Sequence, residues 1–226
     1  MRIAPLAAAL LLFAPAAALA ADAPDMSSQK ARFSYAVGFQ IGHSLKSDDL
    51  DIDPTVVGIA IGDVLSGADP KVTPEDMDAA MKNFEAARTE ARNKAAEDNK
   101  KKGEAYLAAN GKKKGVTTTK SGLQYKVIEA GKGKQPKPTD HVTVNYRGTL
   151  IDGEEFDSSY SRGEPITFPV NGVIQGWQEV LPLMKEGAKW EVTIPSDLAY
   201  GERGTGHGIG PNETLVFTIE LVKVAE

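Results

Sequence analysis

The apolar positions of this chain follow two different periods, and the change between them divides it. From Ser28 onward, Phe33, Val37, Ile41 and Leu45 recur at four-residue intervals, one stripe of a helix. Ser27 or Ser28 supplies a cap for its start, and Ser47, Asp48 and Asp49 let it stop. Asp53 before Pro54 opens a second helix carrying Val56, Val57, Ile59, Ala60, Ile61, Val64 and Leu65; being apolar nearly all round, it is expected to be buried. After the turn at Gly67, Ala68, Asp69 and Pro70, Thr73 caps a third helix with Pro74 at its first position and Glu75 and Asp76 in its first turn. Only Gly103 interrupts the pattern before about Ala109, so one helix of roughly 50 Å is predicted at about 1.5 Å per residue. Its first half keeps an apolar edge through Met77, Met81, Phe84, Ala87 and Ala91. Beyond Ala95 the residues turn polar (Glu97, Asp98, Asn99, Lys100 to Lys102), which predicts a solvated stalk between domains, with Gly111 to Gly115 as a hinge.

From Thr117 the period becomes two. Leu123, Tyr125 and Val127 alternate with polar residues, as do Val142, Val144, Tyr146 and Gly148, then Trp190, Val192 and Ile194, and finally Leu215, Phe217, Ile219 and Leu221. Antiparallel strands separated by Gly, Pro and Asp turns are implied. Ile174, Trp177, Val180 (or Leu181) and Met184 interrupt them at helical spacing, which predicts a short helix closing a curved sheet.

Glycines four apart, Gly38 with Gly42 and Gly58 with Gly62, permit close backbone approach in the first two helices. Tight packing within the chain, glycines that are merely tolerated, and a seam between two copies all fit this spacing. Fewer than about 50 residues in two short helices rarely form an independent core, which favours oligomerisation.

Composition narrows the chemistry. The net charge of −5 gives no reason to expect nucleic acid or an anionic membrane surface as a partner. The lysine runs 100–102 and 112–114 read as solvated faces, the first among acids and the second in a glycine-flanked linker. With no cysteine, disulfides, thiolate catalysis and cysteine–zinc sites are excluded. His43, His141 and His207 are scattered without ligand spacing, so neither metal nor cofactor is expected. Arg2, an apolar core from Leu6 to Phe13 and Ala18-Leu19-Ala20 before Ala21 read as a secretory signal over residues 1–20. A membrane anchor is the competing reading; Pro15 and the A-x-A ending favour cleavage and export to the periplasm.

The stretch from Val144 to Met184 concentrates Tyr146, Phe156, Val173, Ile174 and Trp177 around one acid, Asp157, which suits an apolar concave site. No nucleophile–base pair accompanies it. Taken singly, Trp177, Phe217 and Val173 suit the core of almost any small α+β domain, and Asp157-Ser158-Ser159 suits a turn. The functional reading rests on the ordered set: Val144-Asn145-Tyr146-Arg147-Gly148, Asp152-Gly153, Phe156-Asp157-Ser158-Ser159, Val173-Ile174-Gln175-Gly176-Trp177, Ala199-Tyr200-Gly201 and Thr214-Leu215-Val216-Phe217.

Over roughly the last 110 residues, one domain's length, this series resembles the FKBP family of peptidyl-prolyl cis-trans isomerases. The leader and helical segment upstream resemble its Mip/FkpA-type branch, whose members are exported dimers. The resemblance implies an α+β protein: a signal peptide (1–20), an N-terminal all-α dimerisation domain (21–73), a long linking helix with its hinge (74–115), and an FKBP-like domain (116–226) whose antiparallel twisted sheet wraps on a short helix.

It also implies roles. Trp177 becomes the floor for a proline ring, with Tyr146, Phe156 and Phe217 as walls. Val173 and Ile174 contact the substrate chain, the latter through its backbone N–H, and Tyr200 donates its hydroxyl to a substrate carbonyl. Asp157 is held near Tyr146 and Arg162. Ile166 stands where many relatives carry an aromatic residue, which implies a more open rim. Ile209 carries over from the glycine-rich loop 202–211, whereas His207 falls two residues off the family's register. The implied partners are proline-containing polypeptide clients, macrolide-type inhibitors such as FK506 and rapamycin, and a second copy of the chain through the N-terminal helices. The implied location is the periplasm, free or associated with the outer membrane or cell surface. A dimeric chaperone or binding module with incidental isomerase activity is the alternative.

Overall fold

The structure, a computed structural model, describes residues 25–47, 50–206 and 208–225. The leader expected over 1–20, Asp48, Asp49 and His207 lie outside the described residues. The chain divides into two units, residues 1–51 and 52–226.

The first unit contributes helix α1 (Gln29–Ser47). Ser28 Oγ accepts the Ala31 N–H at 3.1 Å, so the serine cap settles on Ser28. None of its residues is buried, and Phe33 is 71% exposed.

In the second unit, Asp53 caps α2 (Pro54–Ser66) by accepting the Thr55 N–H at 2.8 Å, and Gly67 ends it in the left-handed conformation at φ 70°. The expected burial of α2 does not occur within one chain: Val64 is 79% and Leu65 83% exposed. Apolar composition marks a surface to be covered, and nothing in this unit covers it. A Cβ built on Gly38, Gly42, Gly58 or Gly62 meets open space within its own unit, so tight packing there does not account for these glycines.

Helix α3 runs unbroken over Pro74–Asn110, with Thr73 Oγ1 accepting the Asp76 N–H at 3.1 Å. Its C-terminal turns depart from the expectation of a solvated stalk. Asn99 Nδ2 donates to the Pro211 carbonyl at 3.0 Å, Gly103 is buried against Thr214, and buried Asn110 donates to Gln124 Oε1 at 2.9 Å. Gln124 in turn donates to the Leu107 carbonyl at 2.9 Å. The supposed hinge carries successive hydrogen-bonded turns, including Lys113 N–H to the Asn110 carbonyl at 3.0 Å. The Asn110 and Gln124 amide nitrogens both find partners here, while the buried Asn110 Oδ1 has none among the described residues.

Seven strands follow: β1 (Val116–Thr118), β2 (Gln124–Ala130), β3 (His141–Leu150), β4 (Glu155–Ser158), β5 (Ile166–Pro169), β6 (Ala188–Ile194) and β7 (Leu215–Ala225). They form one antiparallel sheet in the order β1-β2-β6-β7-β3-β4, with β5 also paired to β3. Strands β4 and β5 therefore share one edge of β3, and the four-residue helix α4 (Ser159–Arg162) fills the interval between them. Helix α5 (Gln175–Val180) closes one face of the sheet.

The period-two positions point inward as read: Val142, Val144, Val192, Ile194, Leu215, Ile219 and Leu221 are fully buried, as are Val180 at the end of α5 and Leu181 directly after it. Fully burying one such side chain contributes roughly 1.5–3 kcal/mol, so this layer dominates the domain's stability. Val127 is the exception. A bulge between Val127 and Glu129 leaves it exposed on the strand where Tyr125 stacks on Trp190 at 4.6 Å.

Candidate active site

The sheet's concavity and α5 enclose a cavity of about 460 Å³ lined by Tyr146, Phe156, Asp157, Phe168, Gly172, Val173, Ile174, Trp177, Tyr200 and Phe217. Its walls draw on five separate elements. Tyr146 lies on β3, Phe156 and Asp157 on β4, Phe168 on β5 and Phe217 on β7, while Trp177 rises from α5.

Trp177 is the hub. Its ring meets Tyr146 at 5.3 Å, Phe217 at 5.4 Å and Phe168 at 6.1 Å, and Phe156 meets Phe217 at 5.6 Å, all near-perpendicular. Edge-to-face contacts set the positive edge of one ring against the negative face of another and fix both orientations. The backbone makes room for them at Gly148, where a Cβ would lie 2.7 Å from Phe156 Cζ and 2.8 Å from Phe217 Cε1. Beneath the cavity, Trp177 Nε1 is buried without a hydrogen-bond partner among the described residues. An unpaired buried donor costs about 1–3 kcal/mol, a departure that native proteins reserve for few places.

One polar group interrupts this surface. The Tyr146 hydroxyl donates to Asp157 and accepts from Arg162 Nη2 at 2.7 Å, while Arg162 Nη1 donates to the other Asp157 oxygen. Three side chains thus close a ring. Arg162 also lies 5.5 Å over the Tyr146 ring. Buried Ser159 at the start of α4 accepts the Tyr146 N–H at 2.9 Å, which ties the helix carrying Arg162 to the strand carrying Tyr146.

The electrostatics follow from this geometry. Burial raises the Asp157 carboxyl, but the Tyr146 hydroxyl and the Arg162 guanidinium outweigh it and hold the group below its ordinary value. Tyr146 is pushed up to about 12, by burial first and then by Asp157. Tyr200 is also raised, by burial and by the Asp157 charge. At neutral pH the site therefore holds one paired carboxylate and protonated phenols.

The segment before α5 is fixed from behind. Gln178 Nε2 donates to the Val173 carbonyl at 2.7 Å, and Val173 and Ile174 both face the cavity. Of the residues singled out from sequence, Tyr146, Phe156, Asp157, Val173, Ile174, Trp177, Tyr200 and Phe217 meet at the cavity, and Arg162 joins through Asp157 and Tyr146. Two do not line it. Ile166 packs against the core opposite Val144, and Ile209 is itself buried in that core. Sequence reading missed Phe168 and Gly172. For Phe168 the signal was present: it stands two positions after Ile166 on β5 and shares its face, so the aromatic ring expected of the rim arrives one pleat later.

With this geometry in hand, the chain compares with known proteins as follows. The family model for "FKBP-type peptidyl-prolyl cis-trans isomerase" matches residues 132–222, and that for "Domain amino terminal to FKBP-type peptidyl-prolyl isomerase" matches residues 30–127. The chain is 46% identical over 222 residues to the outer membrane protein MIP of Legionella longbeachae, covering 96% of this chain and 95% of that protein. It is 42% identical over 231 residues to the FKBP-type peptidyl-prolyl cis-trans isomerase FkpA of Escherichia coli (strain K12), covering 95% and 84%. The crystal structure of FkpA from Escherichia coli superposes with a TM-score of 0.64 at 40% identity, covering 88% of this chain and 98% of that one.

Proposed function

The chain belongs to the FKBP-type peptidyl-prolyl cis-trans isomerases, and from that premise we propose how its residues accelerate X-Pro rotation and where the protein does so. The observation that carries the mechanism is the cavity itself: six aromatic rings around a single acid already paired with the Arg162 guanidinium and the Tyr146 hydroxyl.

A planar amide is stabilised by resonance that places negative charge on oxygen and positive charge on nitrogen, and rotation must overcome about 18–20 kcal/mol. The half-rotated amide loses that charge separation. Water solvates the planar form better, so an apolar enclosure favours the twisted form relative to the planar one, and this difference lowers the barrier. A millionfold acceleration requires only about 8 kcal/mol of such preference.

In this reading the proline ring rests on Trp177, and the edges of Tyr146, Phe156 and Phe217 face the rotating carbonyl. Phe168 completes the wall. The Tyr200 hydroxyl and the Ile174 N–H bind carbonyls of the flanking chain. Arg162 and Tyr146 prevent Asp157 from acting as a free charge: an unpaired carboxylate in the cup would draw in the water whose exclusion lowers the barrier. The test is a proline-limited refolding assay on the mature chain. Acceleration that is lost in Trp177→Ala and Phe217→Ala variants with unchanged circular dichroism supports the mechanism; a parent chain without acceleration overturns it.

The proposal extends to setting. The leader pattern supports export, and the bare apolar faces of α1 and α2 support a homodimer through the N-terminal helices. Two cups on one dimer would hold one unfolded client at two prolines, which is the basis for a chaperone role. Macrolide-type inhibitors would occupy the same cup. Suppression of aggregation of a denatured client by residues 21–115 alone supports a holding role for the helices, and an inert fragment removes it.

A further inference from the structure

The polar half of α3 is not merely solvated. Arg92, Ala96, Asn99 and Gly103 fall at intervals of four, three and four, which places them on one face of the helix. All four meet the same segment, the long connection between β6 and β7. Arg92 Nη2 donates to the carbonyls of Glu202 and Arg203 at 3.4 and 3.3 Å. The Ala96 carbonyl accepts from Asn212 Nδ2 at 3.3 Å, and Asn99 Nδ2 donates to the Pro211 carbonyl at 3.0 Å. Gly103 is buried so closely that an added Cβ would lie 3.2 Å from Thr214 Cβ.

The connection they hold is the one that brings Tyr200 to the cavity. Its two arms are closed on each other at the base, where the Asn212 N–H donates to the Gly201 carbonyl at 2.9 Å. Asn212 is held at φ 56°, a left-handed conformation that asparagine tolerates better than most residues. Farther along, a Cβ on Gly208 would lie 3.6 Å from Phe156 Cβ, so the segment also passes over an aromatic wall of the cup. Fixing the 209–214 arm to α3 therefore fixes the 200–204 arm that starts at Tyr200.

We propose that this face of α3 is a positioning element for the active site: Arg92, Asn99 and Gly103, with Asn212 and Thr214 opposite them, hold the β6–β7 connection so that Tyr200 and the backbone over Phe156 stay in register with the cup. None of the five touches substrate. The inference rests on the isomerase mechanism above, but its anchoring half is measured without any turnover. It also makes the helical segment a part of the enzyme's geometry rather than a spacer.

The experiment uses the full mature chain and three changes: Asn99→Asp, which keeps the shape and replaces the donor by an acceptor; Asn212→Gly, which keeps the left-handed backbone and removes the side chain; and Gly103→Ala with and without Thr214→Gly. Amide hydrogen exchange of 200–206 and 208–214 is compared with that of β3, alongside kcat/KM on a proline tetrapeptide. The expected result is faster exchange confined to the connection and a fall in kcat/KM of about fivefold for each anchor lost. Thr214→Gly should return the Gly103→Ala chain to within about twofold of the parent. A purely structural role would instead loosen β3 as well and would leave kcat/KM of the folded population unchanged. Unchanged exchange in the connection overturns the inference whatever the parent's activity. Faster exchange with kcat/KM unchanged in an active parent overturns its catalytic half, and an inactive parent sinks the mechanism while the exchange comparison still decides the anchoring.

Discussion

Asp157 is the residue at which the apolar cup tolerates a charge, and its neighbours set the pH range over which it does so. Its carboxyl lies below its ordinary value in the folded chain, so its contribution to stability is present above the unfolded value of about 4 and is lost as pH falls through the lower folded value. Tyr146 runs the other way. Raised to about 12, it contributes below its unfolded value of about 10, and that contribution disappears as pH rises through the folded one. Between those limits the ring of Tyr146, Asp157 and Arg162 keeps one protonation state, and kcat/KM should be flat from about pH 5 to 9. A pH–rate profile with an inflection between 6 and 8 would contradict a mechanism without proton transfer. Asp157→Asn leaves Arg162 without its counter-charge beside the cup and should lower kcat/KM about tenfold with an unchanged circular dichroism spectrum. The two candidates for the rim separate in the same assay. Phe168→Ala removes a ring that touches both Tyr146 and Trp177 and should cost about fivefold or more, whereas Ile166→Ala, behind the wall, should act mainly on stability. Equal losses of kcat/KM in both would return Ile166 to the site.

At the scale of elements, the site depends on how closely α5 approaches β6. A Cβ on Gly176 would lie 2.5 Å from Ile194 Cγ2 and 2.8 Å from Ile194 Cδ1, so only glycine lets the helix seat here, directly before Trp177. Gly176→Val should cost roughly 1–3 kcal/mol in urea unfolding and should lift the indole floor, lowering kcat/KM as well. A stable variant with full activity would show that α5 has slack this packing does not indicate. The contrast between what sequence reading reached and what it missed has the same origin. Thr73, Pro74 and Asp53 declare helix starts through chemistry confined to a few neighbouring residues, and the buried rows of β3, β6 and β7 declare themselves by alternation. The polar face of α3 declares nothing, because the partners of Arg92, Ala96 and Asn99 lie more than a hundred positions away and a helix polar all round reads the same whether water or a loop faces it. Val127 departs for a local reason: alternation marks which positions share a face, but the bulge that follows it ends the regular pairing there. Most of the cup was legible because its residues sit in short, ordered motifs, while Phe168 lies outside those motifs and reaches the cup only through the face of β5 that it shares with Ile166.

For the whole molecule, the bare helices and the small cup belong to one physical account. Helix α1 exposes Phe33, Tyr35 and Phe39, and α2 exposes Val56, Val64 and Leu65, in a chain whose C-terminal sheet buries most of its inward apolar rows. Apolar surface left in water disfavours the exposed state by about 25 cal/mol per Å², so a second copy covering these faces stabilises both chains. A single cup meets a short peptide once, and pairing changes nothing for that substrate. A long client with several prolines is different, because after one cup engages, the second meets it at an effective concentration fixed by the length of chain between them, and avidity follows without any new contact. Phe39→Glu with Leu65→Glu, both remote from the cup in sequence, should therefore convert the mature chain to a monomer in sedimentation. It should leave kcat/KM on a tetrapeptide within about twofold of the parent while slowing catalysed refolding of a many-proline client about tenfold or more. If the double variant still sediments as a dimer, the assignment of these faces is wrong. If it is monomeric and refolds the long client as fast as the parent, then pairing serves stability alone, and the two cups work independently.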